Sequence, residues 1–468
     1  MKAVITPCQF PREFRIPASK SHTIRRLLLA ALGHGVTEIA YPLDSLDARS
    51  CLNICRVLGA GIEEHRAPDP ACPNPSGSDG QKLVGWTVRG IGFGARGRIK
   101  AGLSPLDVGN SGTTLFLVLA AAALGDLPAT FTGDEQIARR SAAPLLDALS
   151  GLGIAVESAP GGCVPITVRG PWKGGRVSIA CPTSQYLSAL LLAAPLAPAG
   201  VITEIDIPLL NEKPYIEMTL SYLTAQGIPY DCAGNFSRFR IPGGAHYRPM
   251  NGPVPGDFSS AAFPGGIAAI TGETVTLRGL DREDTQGDKA FFDMLGKMGC
   301  TVKWSRVEPA AVGRTAQKSS TVNAGGQTSE WTLQVSRTGP LRGGEFDLND
   351  TPDLLPIMAV VAAYAEGDTA LVNVAHARIK ETDRIAVMAE ELGKLGVSTT
   401  ERPDGLIIHG KGGRGFQGGR VDSRGDHRIV MALAAGALGA AGPVHIEAAE
   451  SAAVTYPGFL ELLGADIA

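Results

Sequence analysis

Three short segments hold charged residues at spacings that bear on chemistry. Pro17 to Arg26 reads PASKSHTIRR and sets Lys20 and Arg25 about a turn and a half apart at a helix start. His376 to Arg384 reads HARIKETDR, and Gly425 to Arg428 reads GDHR. Cations at a helix N-terminus oppose the helix dipole by roughly 0.3–1 kcal/mol each, so Lys and Arg placed there point to an anionic ligand. Taken alone, KETDR reads equally well as a solvated charge run. The three segments together point to binding of an anion.

The elements that must position these residues repeat along the chain. Six polar clusters each open an Ala/Leu-rich helix: Ser19-Lys20-Ser21, Asn110-Ser111-Gly112-Thr113, Thr183-Ser184-Gln185, Asp257-Phe258-Ser259-Ser260, Thr351-Pro352-Asp353 and Asp426-His427-Arg428. Ser, Thr, Asn and Asp are N-cap residues, and helices this apolar all round belong in the middle of a domain. Each cluster taken singly needs only to cap. Several such N-termini converging on one cleft would make an anion site.

A second element alternates with the first, a helix ending in Gly before a short strand. It reads LGAGIE from Leu58, LGIAVE from Leu152, QGIPYD from Gln226, MGCTVK from Met298, LGVSTT from Leu395 and LGADIA from Leu463. Gly after a helical pattern is a C-terminal cap, since it enters the left-handed region without steric cost. Six helix–strand–helix units predict two domains of three units each, with the chain crossing near Pro17 and returning near Pro253–Pro255. The expected division is 1–18 with 255–468 for one domain and 19–254 for the other. His65–Gln81 and Ala310–Glu330 lack periodicity and read as inserted surface loops.

Composition narrows the partners. The chain has 468 residues, 44% of them hydrophobic, and a net charge of −3 with Lys and Arg spread along its length. No basic stripe marks a nucleic-acid or anionic-membrane surface, so neither partner is expected. The eight cysteines form no metal-ligand spacing. Cys51 and Cys55 share a helix face and read as core, Cys72 and Cys163 as loop thiols, and a reduced, cytoplasmic compartment fits. No apolar signal core opens the sequence, and the apolar run Leu115 to Leu124 falls short of the roughly 20 residues that span a bilayer. A soluble monomer is expected.

At this point the segments are recognisable. They resemble the 5-enolpyruvylshikimate-3-phosphate synthase family of enolpyruvyl transferases over nearly the whole chain. The family's PGSKS…NR motif appears as PASKS…IR, its GNAGT as GNSGT, and its SSQ-aromatic as Thr183-Ser184-Gln185-Tyr186. Its KPY, KE(S/T)DR and DHR motifs stand at Lys213–Tyr215, Lys380–Arg384 and Asp426–Arg428. GNSGT alone is weak evidence; an early SKS, then KETDR, then DHR, in that order, is strong.

The resemblance implies an α/β fold of two inverted α/β barrels, each of three βαβαββ units around buried helices, with the active site in the interdomain cleft. It implies transfer of the carboxyvinyl group of phosphoenolpyruvate to the 5-hydroxyl of shikimate-3-phosphate, a step of chorismate and aromatic amino-acid biosynthesis, without metal or cofactor. Lys20, Ser21, Arg25, Thr183, Ser184, Gln185, Tyr215, Asp353, His376 and Lys380 would surround shikimate-3-phosphate. Lys20, Gly112, Arg140, Gln185, Arg384 and Arg428 would hold phosphoenolpyruvate. Arg140 rests on the stretch GDEQIARRS, where the register could slip to Arg139. Glu381 would handle the proton at C3, Asp353 the proton of the attacking hydroxyl, and Lys20 would bridge both substrates.

Four positions depart from the family pattern. Glu212 replaces the Ser that touches the substrate phosphate, where a carboxylate would repel the phosphate unless Lys213 neutralises it or it points away. Val454 stands where the family has a Lys for phosphoenolpyruvate, His376 where many members have Asn, and Phe116-Leu117 where Arg-Pro is frequent. Two other readings stay open beside the family reaction. One is a carboxyvinyl transferase on another acceptor, although the catalytic cysteine loop of the UDP-N-acetylglucosamine enzyme is missing. The other is a non-catalytic anion-binding paralogue.

Overall fold

The structure is a computed structural model that describes residues 1–68, 81–92, 105–307, 330–413 and 415–467. The described chain divides into two units, each with its own hydrophobic core. One unit contains Met1–Pro17 and the described residues from Pro255 onward; the other contains Ala18–Val254.

Each unit contains three four-stranded sheets built to one plan. The repeat Gly175–Cys181, helix Ser184–Ala193, Ile202–Leu210, helix Lys213–Ala225, Asp231–Cys232, Arg238–Pro242 shows it. The first two strands pair in parallel across the helix, and the last two return antiparallel as a hairpin. This is a βαβαββ unit. The same order holds in the repeats starting at Leu106–Asp107 and Glu345–Asp347.

The remaining three sheets borrow a strand from elsewhere in the chain. Val36–Ala40 pairs with Gly252–Pro253, Val275–Arg278 with Glu13–Arg15, and Val444–Glu447 with Lys2–Ile5. The borrowed strands Lys2–Ile5 and Glu13–Arg15 are why the N-terminal residues belong with the C-terminal half. Among the described strands the six sheets stay separate and no closed barrel forms.

The periodic sequence signals are realised. All six repeat glycines (Gly59, Gly153, Gly227, Gly299, Gly396 and Gly464) have positive φ, between 67° and 114°. The helices Gly112–Ala122, Leu355–Ala363 and His427–Ala437 are buried along their whole length. Gly436 allows the close approach of the last two, since a Cβ there would lie 2.7 Å from Val360 Cγ1 and 2.3 Å from Phe416.

Ser111, Thr183, Asp257 and Asp426 cap their helices with side-chain hydrogen bonds. Ser19 and Thr351 do not, and the Thr351 cluster enters its helix through a 3-10 turn, Pro352–Leu354. Two expected loops are shorter than read. Strands run over Gly61–Pro68 and from Gln81, and another begins at Glu330, because strand pairing extends to where the insertions leave the sheet. The rest of both loops, and Cys72, lie outside the described residues.

Cys163 opens the strand Cys163–Arg169 and is not a loop thiol. Cys51 and Cys55 are both fully buried in the helix Leu46–Leu58, where their mutual hydrogen bond and burial push the Cys55 thiol up. No helix among the described residues is long and apolar enough to cross a membrane.

Candidate active site

In the unit that holds the C-terminal half, three helix starts bring charge together. Asp353 lies in the 3-10 turn ahead of Leu355–Ala363, Glu381 and Arg384 at the entry of Arg384–Lys394, and Asp426 and Arg428 at the entry of His427–Ala437. Arg384 is fully buried and joins all three. Its Nε donates to Asp426 Oδ2 at 2.8 Å, one terminal nitrogen to Asp353 Oδ1 at 2.7 Å, and the other to Glu381 Oε2 at 2.6 Å. Arg428 takes the second oxygen of Asp353, at 2.7 Å. Asp426 also accepts from Thr382 Oγ1 and caps its own helix through the Arg428 N–H.

The electrostatics follow from this geometry. Burial alone would raise the Asp353 carboxyl, but Arg428, Lys380 and Arg384 outweigh it and hold that group well below the carboxylate range. Burial works against the charge of Arg384, yet Asp426, Glu381 and Asp353 keep it firmly protonated. Asp353, Glu381 and Asp426 balance Arg384, Arg428 and Lys380, and this is what makes a buried charged cluster tolerable.

Asp288, in the turn Gly287–Lys289, is a member that sequence reasoning missed. It is buried and accepts from Ser259 Oγ. Burial and the charge of Asp353 push it up to about 7 against Arg428 and Ser259. His376 is buried in the turn Ala375–Ile379, and Lys380 follows it, half-buried. Val454 ends the turn Ala449–Val454, also half-buried.

The unit Ala18–Val254 holds a second group. Arg25 points inward from the helix Lys20–Leu32 and is buried. It donates to Thr219 Oγ1 at 3.0 Å, Ser188 Oγ at 3.2 Å and the Ser21 carbonyl at 3.2 Å, all of them neutral acceptors. Burial lowers this guanidinium to about 10, partly offset by Tyr222 and Tyr215. Tyr215 is tied to the same network, since Thr219 Oγ1 donates to its carbonyl at 2.9 Å. Ser21 sits one residue beyond Lys20, whose ammonium pairs with Asp47 Oδ2 at 3.1 Å. Asp47 was not legible as a partner, being 27 residues away on another helix.

Gly112, Arg140 and Gln185 come together at the start of Gly112–Ala122. A Cβ on residue 112 would lie 2.5 Å from an Arg140 terminal nitrogen, so only Gly lets that guanidinium lie over the helix start. Gln185 Nε2 donates to Thr113 Oγ1 at 3.1 Å. Behind them Phe116 meets the Tyr186 ring edge-on at 5.0 Å, and Tyr186 donates to the Ser141 carbonyl at 2.6 Å. Phe116, where the family pattern often has Arg, thus packs the wall of this corner. Arg139 points away, 78% exposed, toward Glu135.

Glu212 points at the start of the helix Ser184–Ala193. Its Oε2 accepts from the Ser184 N–H at 2.9 Å, Ser184 Oγ at 2.8 Å and Thr183 Oγ1 at 3.2 Å.

Known proteins resemble this chain over nearly its whole length. The family model of EPSP synthase (3-phosphoshikimate 1-carboxyvinyltransferase) matches residues 9–463. A 3-phosphoshikimate 1-carboxyvinyltransferase of Acetivibrio thermocellus is 43% identical over 457 residues, covering 97% of this chain and 96% of the relative. One from Halobacterium salinarum is 38% identical over 478 residues, covering 100% and 99%. Among solved structures, an EPSP synthase of Acinetobacter baumannii superposes with a TM-score of 0.76 at 27% identity, over 99% of this chain and 97% of that one. The chain belongs to the EPSP synthase family.

Proposed function

We propose that this chain transfers the carboxyvinyl group of phosphoenolpyruvate to the 5-hydroxyl of shikimate-3-phosphate and releases phosphate. The observation that carries the reading is the cluster in which the buried Arg384 pairs with both Asp353 and Glu381. Addition needs the hydroxyl to lose its proton as its oxygen bonds to C2, while C3 gains a proton. Elimination then breaks the bond from C2 to the phosphate oxygen as C3 loses a proton. In the proposed roles Asp353 accepts the hydroxyl proton and Glu381 serves C3.

A carboxylate held by two arginines is a weak base. An anionic ligand that draws Arg384 and Arg428 toward itself would release Asp353 and raise its proton affinity when the base is needed. Arg140, at the glycine corner, adds a further cation for phosphoenolpyruvate. Arg25, a buried cation with neutral partners, together with Lys20, Ser21, Thr183, Ser184, Gln185 and Tyr215, would receive shikimate-3-phosphate, as would His376 and Lys380. The same reading makes the protein a cytoplasmic monomer acting on small anions rather than on nucleic acid.

The test is phosphate release with phosphoenolpyruvate plus shikimate-3-phosphate, against shikimate and a UDP-sugar as acceptors. Release that depends on shikimate-3-phosphate is expected; release with another acceptor alone would displace the reading.

A further inference from the structure

Glu212 sits where its own helix does not need it. It precedes Lys213–Ala225 with φ 58° and ψ 43°, a left-handed conformation that Gly or Asn adopts more readily, and its side chain does not cap that helix. Its carboxylate reaches the start of another helix, Ser184–Ala193, 28 residues earlier, and is buried there with 1% exposure. One oxygen takes the Ser184 N–H and two hydroxyls. Those donors, at a helix N-terminus, form a seat for an anionic oxygen. Ser188, which accepts from the buried guanidinium of Arg25, lies one turn further along the same helix. The seat is built for an anion, and an internal carboxylate fills it.

We infer that Glu212 is a specificity-determining residue that competes with the acceptor's phosphate for the N-terminus of Ser184–Ala193. The inference rests on the proposed reading, in which Thr183 and Ser184 receive shikimate-3-phosphate. A phosphate dianion and the Glu212 carboxylate cannot share one N–H and two hydroxyls, so the phosphate binds only as Glu212 leaves. Leaving costs Glu212 three hydrogen bonds, which is subtracted from the acceptor's affinity.

Calorimetric titration of the wild type, Glu212→Ser and Glu212→Gln, with inorganic phosphate, shikimate-3-phosphate and shikimate as probes, tests this. Removing the competitor should tighten inorganic phosphate and shikimate-3-phosphate by about 10-fold or more in Glu212→Ser. Glu212→Gln, which keeps the shape but not the charge, should gain less, and it serves if the Ser variant fails to fold. Shikimate, lacking the phosphate, should not gain. Unchanged or weaker phosphate and shikimate-3-phosphate binding in both variants would overturn the inference. A gain for inorganic phosphate without one for shikimate-3-phosphate would uphold the exchange and overturn the acceptor assignment. Wild-type phosphate release reads that assignment independently.

Discussion

Asp353 and Arg384, 31 residues apart in sequence, share a hydrogen bond of 2.7 Å in which the guanidinium is wholly buried and the carboxylate is not. The arginine meets the carboxylate from the buried side, and the carboxylate keeps a partly exposed side toward which a reacting group can come. Glu381, held by the opposite nitrogen of the same guanidinium, has the same partial exposure. A pair of carboxylates presented this way is suited to proton transfer, and the predictions begin there.

Asp353→Asn and Glu381→Gln should each lower turnover by roughly 10²–10⁴. Both variants keep the side-chain shape, so the circular dichroism spectrum should not change. Steady-state phosphate release reads the effect, and near-wild-type turnover in either variant would remove that residue from proton transfer.

Arg384→Met should be among the most damaging substitutions to stability. It leaves Asp353, Glu381 and Asp426 without their common cation inside the protein, a loss of about 3–5 kcal/mol. Arg278→Met, which breaks the exposed pair with Glu13, should cost no more than about 1 kcal/mol. Urea midpoints for the two variants compare them directly. Equal shifts would mean that the Arg384 cluster is no more than another surface network.

Asp288 gives the cluster a pH dependence of definite sign. Its folded-state value is raised from 3.8 to about 7, so the folded protein holds a proton that the unfolded chain has released. That contribution is complete below about pH 4, declines as pH rises toward 7, and is gone above it. Relative to Asp288→Asn, the wild type should therefore lose stability between pH 5 and pH 8. The groups facing Asp288 are Asp353, Asp257, Arg428 and Ser259, and none of them changes in the variant. Urea unfolding of both proteins across that range tests it, and parallel curves would sink the idea.

The reach of the sequence can be seen in particular residues. The repeat glycines announce the fold because a left-handed residue after a helix is a local requirement, met within a few positions of the chain. Lys20, Arg384 and Arg428 announce the site because cations at helix starts are locally unfavourable. Asp47, Asp288 and the placement of Glu212 leave no such trace. Each meets its partner through a contact between separate helices or turns, and nothing in its neighbours says which way the side chain faces. Residues 1–18 read as part of the C-terminal half, but two short alternating stretches do not name the sheets that Lys2–Ile5 and Glu13–Arg15 complete.

The register of the Arg139-Arg140 pair is open to a direct test. Arg140 lies over Gly112 and Arg139 faces solvent. If Arg140 serves phosphoenolpyruvate, Arg140→Ala should weaken that ligand by about 10- to 150-fold, the equivalent of one charge-assisted hydrogen bond. Arg139→Ala should change it little. Gly112→Ala adds only a methyl group, but that carbon would stand 2.5 Å from the Arg140 nitrogen. No real contact is so short, and the movable partner is the flexible guanidinium, so the arginine should swing off the helix start. Gly112→Ala should then reproduce much of the Arg140→Ala loss while leaving the fold unchanged. In the background of Arg140→Ala the same methyl should have little further effect, because the group it displaces is already gone. Calorimetric titration of the two single variants and the double variant with phosphoenolpyruvate closes this cycle. Additive losses would show that Gly112 and Arg140 act separately, and a loss confined to Arg139→Ala would return the role to the neighbouring arginine.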